Sequence, residues 1–272
     1  MRPSKKNLSS DSTPEDSLQE DSKGGPVSRA FRVLRYVVEG GSTANLSDLA
    51  RQVEINRITA TRLLATLEQE GMLERLPQGG HRIGIGFLSL AATSLASGDM
   101  FGHGRRLLAR LSKELQLSAY LVVPDGAYVL YVLRETPQTP LVSNIQPGSR
   151  IPAHLMTPGR VLIAQQPSES WAAMLEATRD DERSRKITLA GLETMLKEDR
   201  ERGCAWSFSG FESGIDACAA PVFDAHGQAV AAISVAGPDS RFEGDPDFKD
   251  QTEQAVKAAA AQLSQLLGYV GR

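Results

Sequence analysis

Between Ser28 and Gly86 the spacing of apolar residues turns from helical to alternating, and this stretch restricts the fold more than any other in the chain. Phe31, Val33, Leu34, Val37 and Val38 recur at helical spacing and stop at Gly40-Gly41, a pair that terminates helices. Leu46, Leu49, Ala50 and Val53 mark a short second helix with Ser47 near its start. A third is predicted from Arg57 to Glu70, with Ala60, Leu63, Leu64 and Leu67 as its buried stripe and Gly71 as its end. Two short strands follow, Met72–Leu76 and His81–Ile85, joined by Pro77-Gln78-Gly79-Gly80, a hairpin turn. Three helices and a hairpin, with a tight turn at Glu54-Ile55-Asn56 before the third helix, predict a winged helix-turn-helix over residues 28–86.

Such a motif sets the start of its last helix in the major groove of double-stranded DNA, where short polar and Arg side chains reach bases and phosphates. Here the first turns supply Asn56, Arg57, Thr59, Thr61 and Arg62. Arg57, Thr61 and Asn56 lie away from the buried stripe and can face outward. Arg29, Arg51 and Arg82 are the candidates for phosphate contacts, which position a protein on the duplex without reading its sequence. Residues 28–86 carry eight Arg and no Lys against six acidic groups, whereas the whole chain has a net charge of −3. The same face would also suit a protein-binding winged helix fused to a signalling sensor, which stands as the alternative.

The flanks read differently. Residues 1–27 are rich in Ser, Asp, Glu, Lys and Pro, hold few large apolar side chains, and are expected to form a disordered tail. Phe87, Leu88, Leu90, Ala91 and Leu95 predict a connecting helix over 87–98. The remainder, 99–272, alternates in an α+β order. Helices are expected at 101–117, 159–165, 168–178, 189–202 and 246–268, and strands at 118–123, 127–133, 141–146, 203–209, 214–223 and 228–237. Pro124-Asp125-Gly126 and Asp224-Ala225-His226-Gly227 supply two of the strand turns.

Composition excludes several classes of chemistry. Two cysteines, Cys204 and Cys218, cannot build a disulfide framework or a four-ligand zinc site, and a redox sensor using this pair is a second alternative. Four histidines, none placed beside a Ser or Cys nucleophile in a known motif, give no catalytic residues, so the chain is not read as an enzyme. No metal site and no cofactor are expected. No apolar run approaches membrane-spanning length and the N-terminus lacks a signal peptide's apolar core, so no membrane association and a cytoplasmic location are expected. Thr157-Pro158-Gly159-Arg160 opens an apolar helix, with Thr157 suited to the N-cap and Pro158 to the first helical position. Free N–H groups at such a start suit an anion, although an ordinary capped helix has the same sequence.

Five stretches, in order and at fitting separations, resemble the IclR family of bacterial transcriptional regulators. They are Ser28–Leu34, Leu46–Arg51, Thr59–Leu67, His81–Gly84, and the run from Arg202-Gly203 through Gly214 and Ala219–Asp224 to Ala231–Pro238. The resemblance covers residues 28–271. It implies a winged helix-turn-helix joined by a linker helix to a GAF-like effector-binding domain, in a homodimer or homotetramer that acts as repressor or activator. It also implies an effector pocket at Met156, Thr157, Pro158 and Gly159, with Ser207, Ile215, Ala217, Ser234 and Ala236 on strands. Strand parity agrees, since Ser207 points opposite to Trp206 and Phe208, and Ser234 and Ala236 share a face.

The chain departs from the family in places. Asn56-Arg57-Ile58 stands where the family often has Pro-Lys-Ser, so operator sequence does not transfer. Ser207, Ala217 and Ala236 stand where an acidic residue, a Cys and a Ser are often found. A pocket with fewer polar groups predicts an organic acid that is aromatic or longer-chain rather than a very small oxo-acid.

Overall fold

A computed structural model describes residues 25–97, 99–138 and 143–271. The expected disordered tail, up to residue 24, lies outside the described residues. The chain divides into two compact units, the first ending at Ser94 and the second beginning at Leu95.

The N-terminal unit is a winged helix-turn-helix. Its helices are α1 (Pro26–Val38), α2 (Leu46–Gln52) and α3 (Arg57–Gln69), followed by β1 (Leu73–Arg75) and β2 (His81–Ile83). Helix α1 starts inside the stretch expected to be disordered, because Pro26 occupies the first turn, where its missing N–H costs nothing. Asn45 caps α2, accepting from the backbone N–H of Ser47 and Asp48, and Asn56 caps α3, accepting from Thr59 N at 2.8 Å. Val33, Leu34 and Val37 pack with Leu49, Ala50, Val53, Ala60, Leu63, Leu64, Leu67 and Leu73. Phe31 and Val38, which fit the same helical period, are exposed instead.

The wing is shorter than its apolar pattern suggests. It pairs Leu73 with Ile83 and Arg75 with His81, and Ile85, expected to end the second strand, opens a helix. His81 ties this hairpin to the helices: Nε2 meets the Glu68 carboxylate of α3 and Nδ1 lies 2.7 Å from Thr43 Oγ1. Helix α4 (Ile85–Ser97) begins two residues ahead of the expected connector, and Gly98, its expected terminator, lies outside the described residues.

The second unit contains α5 (Asp99–Leu115), β3 (Ser118–Asp125), β4 (Tyr128–Glu135), β5 (Arg150–Pro152), α6 (Thr157–Ala164), α7 (Trp171–Glu176) and α8 (Leu189–Arg202). β6 (Ala205–Phe208), β7 (Ile215–Phe223), β8 (Ala229–Pro238) and α9 (Pro246–Leu266) complete it. The six strands form one antiparallel sheet in the order β5-β4-β3-β8-β7-β6. Parity divides its side chains between two cores. Leu121, Cys218, Ala220, Ile233 and Val235 face α5 and α9 through Leu108, Leu111, Val256 and Leu263. Tyr120, Val122, Tyr131, Ala219, Ala232 and Ala236 face α6, α7 and α8 through Val161, Leu162, Trp171, Leu192 and Leu196.

The strand expected at 141–146 is not found at 143–146, and 141–142 lie outside the described residues. Ser143 Oγ and Asn144 N both donate to the Glu212 carboxylate instead of a ladder, and the edge strand forms later, at Arg150–Pro152.

Candidate functional site

Two separate surfaces gather the residues singled out by sequence. In the N-terminal unit Arg29, Arg51, Asn56 and Thr59 line one open groove beside the start of α3. Arg57, Thr61 and Arg62 are exposed on the helix itself. The cations are not equivalent. Arg82 forms a two-pronged pair with Glu74 across the wing (3.1 and 2.8 Å) and Arg51 pairs with Asp48 at 2.8 Å, so both charges are already compensated. Hydrogen bonding to Arg82 holds the Glu74 carboxyl below its usual range. Arg29, Arg57 and Arg62 form no ion pair among the described residues. The first turn of α3 carries no acidic side chain, and the helix dipole adds positive potential there. Asn56 Oδ1 is taken up by the cap, which leaves its amide N–H2 as the outward group.

In the second unit a small cavity of about 30 Å³, open to solvent, lies over the sheet face that meets α6. Met156, Thr157, Ser207, Ile215, Ala217, Ser234 and Ala236 line it. Ser207, Ala217 and Ala236 form one cross-strand row through β6, β7 and β8, and Ser234 stands in the next row opposite Tyr120. Pro158 and Gly159 are buried but do not line the cavity. Gly159 instead packs against the turn Ala153–Leu155, where an added Cβ would come within 2.0 Å of the Ala153 carbonyl oxygen. Thr157 is the first helical residue rather than the N-cap, a place held by Met156, whose thioether makes no cap hydrogen bond. The helix therefore opens uncapped, with Met156 and Thr157 in the cavity wall.

Sequence reasoning missed the remainder of the wall: Tyr120, Tyr131, Ser143, Ile145, Leu155, Phe211 and Glu212. The Tyr120 hydroxyl is buried without a hydrogen-bond partner, an arrangement costly unless something else supplies one. Its ring meets that of Tyr131 edge-on, with centroids 5.4 Å apart. Burial, with the nearby Tyr120 and the Glu212 charge, pushes the Tyr131 phenol up, so it remains protonated and able to donate. Ser234 Oγ donates to the Cys218 carbonyl at 3.1 Å and keeps its lone pairs to accept. No Lys, Arg or His side chain lines this cavity among the described residues.

Three groups nearby have other roles. Arg160 pairs with Asp199 through two contacts of 2.8 and 2.9 Å and donates to the Trp206 carbonyl at 3.1 Å, tying α6 to α8 and β6. Cys204 and Cys218 are buried in the opposite core, and burial followed by the hydrogen bond with Cys204, which favours the neutral thiol, pushes the Cys218 thiol up. A thiol held protonated is a poor redox nucleophile, which counts against Cys218 as the attacking group of the redox alternative. No group of three or more His, Cys, Asp or Glu side chains is placed to hold a metal among the described residues, and no helix there is long and apolar enough to cross a membrane.

His154, in the turn before α6, is buried with neither ring nitrogen bonded. Burial lowers its pKa from 6.5, with Asp181 opposing and Arg179 adding to the effect. The unfolded chain then binds the proton first, so this group favours the native state at higher pH, and its contribution is lost as pH falls below 6.5. The urea midpoint of the second unit is accordingly expected to fall between pH 7.5 and 5.5, and to fall less in His154→Leu. Parallel midpoints for the two proteins would contradict this.

Family models match both units. "Bacterial transcriptional regulator IclR C-terminal" covers residues 92–265 and "IclR helix-turn-helix domain" covers residues 26–77. Among curated relatives, the HTH-type transcriptional regulator XynR of Escherichia coli is 27% identical over 247 residues, spanning 89% of this chain and 97% of that protein. The glycerol operon regulatory protein of Streptomyces griseus is 29% identical over 244 residues, spanning 89% and 96%. In fold, the chain is similar to an IclR homologue of Microbacterium hydrocarbonoxydans complexed with 4-hydroxybenzoate (TM-score 0.75, 21% identity, 89% of this chain and 99% of that one).

Proposed function

This chain belongs to the IclR family of bacterial transcriptional regulators, and from that premise we propose that its second unit senses a small organic acid, aromatic or longer-chain, and thereby alters operator binding by the first. It is a DNA-binding regulator with a C-terminal effector domain, as its curated relatives are regulators and not enzymes. The observation that carries the effector reading is a pair of unmet demands in one cavity: the uncapped start of α6 and the orphan hydroxyl of Tyr120. A carboxylate seated there accepts from both. Glu212, also in the wall, already receives Ser143 and Asn144, so the acid group sits at α6 and not beside it. Ile145, Leu155, Phe211, Ile215, Ala217 and Ala236 form an apolar lining suited to a ring or a chain. The relative that holds 4-hydroxybenzoate supports an aromatic acid.

In this reading residues 28–86 bind DNA, 87–98 link, and 99–272 sense, within a cytoplasmic homodimer or homotetramer. Arg62 and Arg29 hold phosphates, Arg57 reaches a base edge, and two half-sites form an approximate palindrome. The effector shifts operator binding only as far as it prefers one conformation of the dimer over another.

A thermal-shift titration of the full chain tests the sensor. With 4-hydroxybenzoate or a longer aliphatic acid, the melting temperature of the second unit is expected to rise with concentration, by mass action on the native state. Tyr120→Phe should weaken that response about 10- to 150-fold in apparent affinity, as loss of a hydrogen bond to a charged group implies. A flat response across aromatic and aliphatic acids would remove the acid-sensor reading, and stronger binding of glyoxylate or pyruvate would remove the size preference.

A further inference from the structure

We propose that the outward ridge of α3, formed by Ile58, Thr61 and Ala65, reads the C5-methyl groups of thymine in the major groove. The inference rests on the DNA-binding reading and deepens it. Ile58 is 83% exposed in the first turn of the helix, and Thr61 and Ala65 follow it at the i+3 and i+7 positions, both exposed. The buried stripe of Ala60, Leu63, Leu64 and Leu67 occupies the other side, so these three form one line down the outer face. Thr61 Oγ1 donates to the Arg57 carbonyl at 3.0 Å. Its hydroxyl is thereby turned back onto the helix, and its methyl group is left as the outward surface. The line consequently presents methyl groups and no donors.

Charge identifies the occupant. Arg57 and Arg62 flank the ridge and Arg29 lies in the groove beside it, none of them in an ion pair among the described residues, and no acid stands in the first turn of α3. An apolar line bordered by uncompensated cations matches a duplex groove, where phosphates lie to the sides and thymine methyls project from the floor. Cytosine presents no methyl at that edge and adenine presents a polar one, so the ridge selects T over C at the positions it covers.

The test begins by selecting duplexes from a random double-stranded library with the full chain. The winning duplex is then resynthesised with uracil in place of thymine, one position at a time, which removes the methyl and keeps the pairing. At ridge-facing positions the parent protein is expected to bind the uracil duplex about fourfold more weakly for each methyl lost, the equivalent of one buried carbon. Ile58→Ala should lose affinity for the thymine duplex and become indifferent to uracil at one position, whereas Arg57→Ala should weaken binding to both duplexes and keep the difference. Unchanged melting of Ile58→Ala confirms its fold. An enriched sequence whose binding ignores uracil everywhere, or one in which 5-methylcytosine binds no better than cytosine at those positions, overturns the ridge assignment and leaves operator binding intact. No enriched sequence at all would instead overturn operator recognition, on which the assignment depends.

Discussion

Replacing Asp199 with alanine is expected to cost the second unit about 3–5 kcal/mol, the usual penalty for stranding one member of a buried ion pair. The side chains of Arg160 and Asp199 are only 14% and 7% exposed, and the guanidinium would be left with the Trp206 carbonyl alone. Asp199→Asn should cost less, since it keeps an acceptor at the same place. Removing both charges in Arg160→Met/Asp199→Leu should recover much of the loss, because desolvation of the pair offsets most of its attraction. Urea unfolding followed by tryptophan fluorescence measures this directly, as both tryptophans, Trp171 and Trp206, lie in this unit. A double variant as unstable as Asp199→Ala would place the cost in packing and not in charge. Effector affinity should fall along with stability in the single variant, since Arg160 belongs to the helix whose start lines the cavity.

The second large effect is expected at Gly159. Its φ is not in the left-handed region, so alanine meets no conformational penalty, and the cost is steric alone. The new Cβ would lie 2.0 Å from the Ala153 oxygen and 2.5 Å from its carbonyl carbon, both backbone atoms that cannot swing aside. Gly159→Ala must therefore push α6 off the preceding turn, with a loss at or above the ~1–3 kcal/mol typical of overpacking. The melting temperature and the response to an added acid should drop together. Gly102→Ala is the contrast: nothing lies within 4 Å of its Cβ in α5, and alanine there should stabilise by about 0.5–1 kcal/mol. Equal melting of both variants would show that the helix start yields more easily than its packing implies.

The N-terminal unit was legible because each element carries its own local signal. The stripe Ala60-Leu63-Leu64-Leu67 and the turn Pro77-Gln78-Gly79-Gly80 need no distant partner to be recognised. Periodicity alone misplaced Phe31 and Val38, since a regular stripe can be wider than the core it meets. In the second unit β3, β7 and β8 are buried on both faces, so they read as continuous apolar runs that mark a strand but not which face holds a cavity. Tyr120 reaches the cavity because β3 pairs with β8, and nothing local announces that pairing. Glu212 and Phe211 sit in a loop, where position follows from tertiary contacts such as the bonds to Ser143 and Asn144. The start of α6 misled in the opposite direction. Thr157 fits an N-cap by type, yet it is the first helical residue, Met156 with no capping side chain holds the cap, and Gly159 is there for a close backbone approach.

The cavity floor has a consequence for descent. Ala217 and Ala236 are paired across the centre of a rigid sheet, and each contributes a single methyl to the wall. A change to glycine, serine or valine at either place would enlarge, polarise or shorten the space by one or two atoms without displacing a strand. None of the cavity's residues belongs to the unit that contacts DNA. If this cavity seats the effector as proposed, two codons can drift until a lineage answers a new metabolite while the promoters it occupies stay the same.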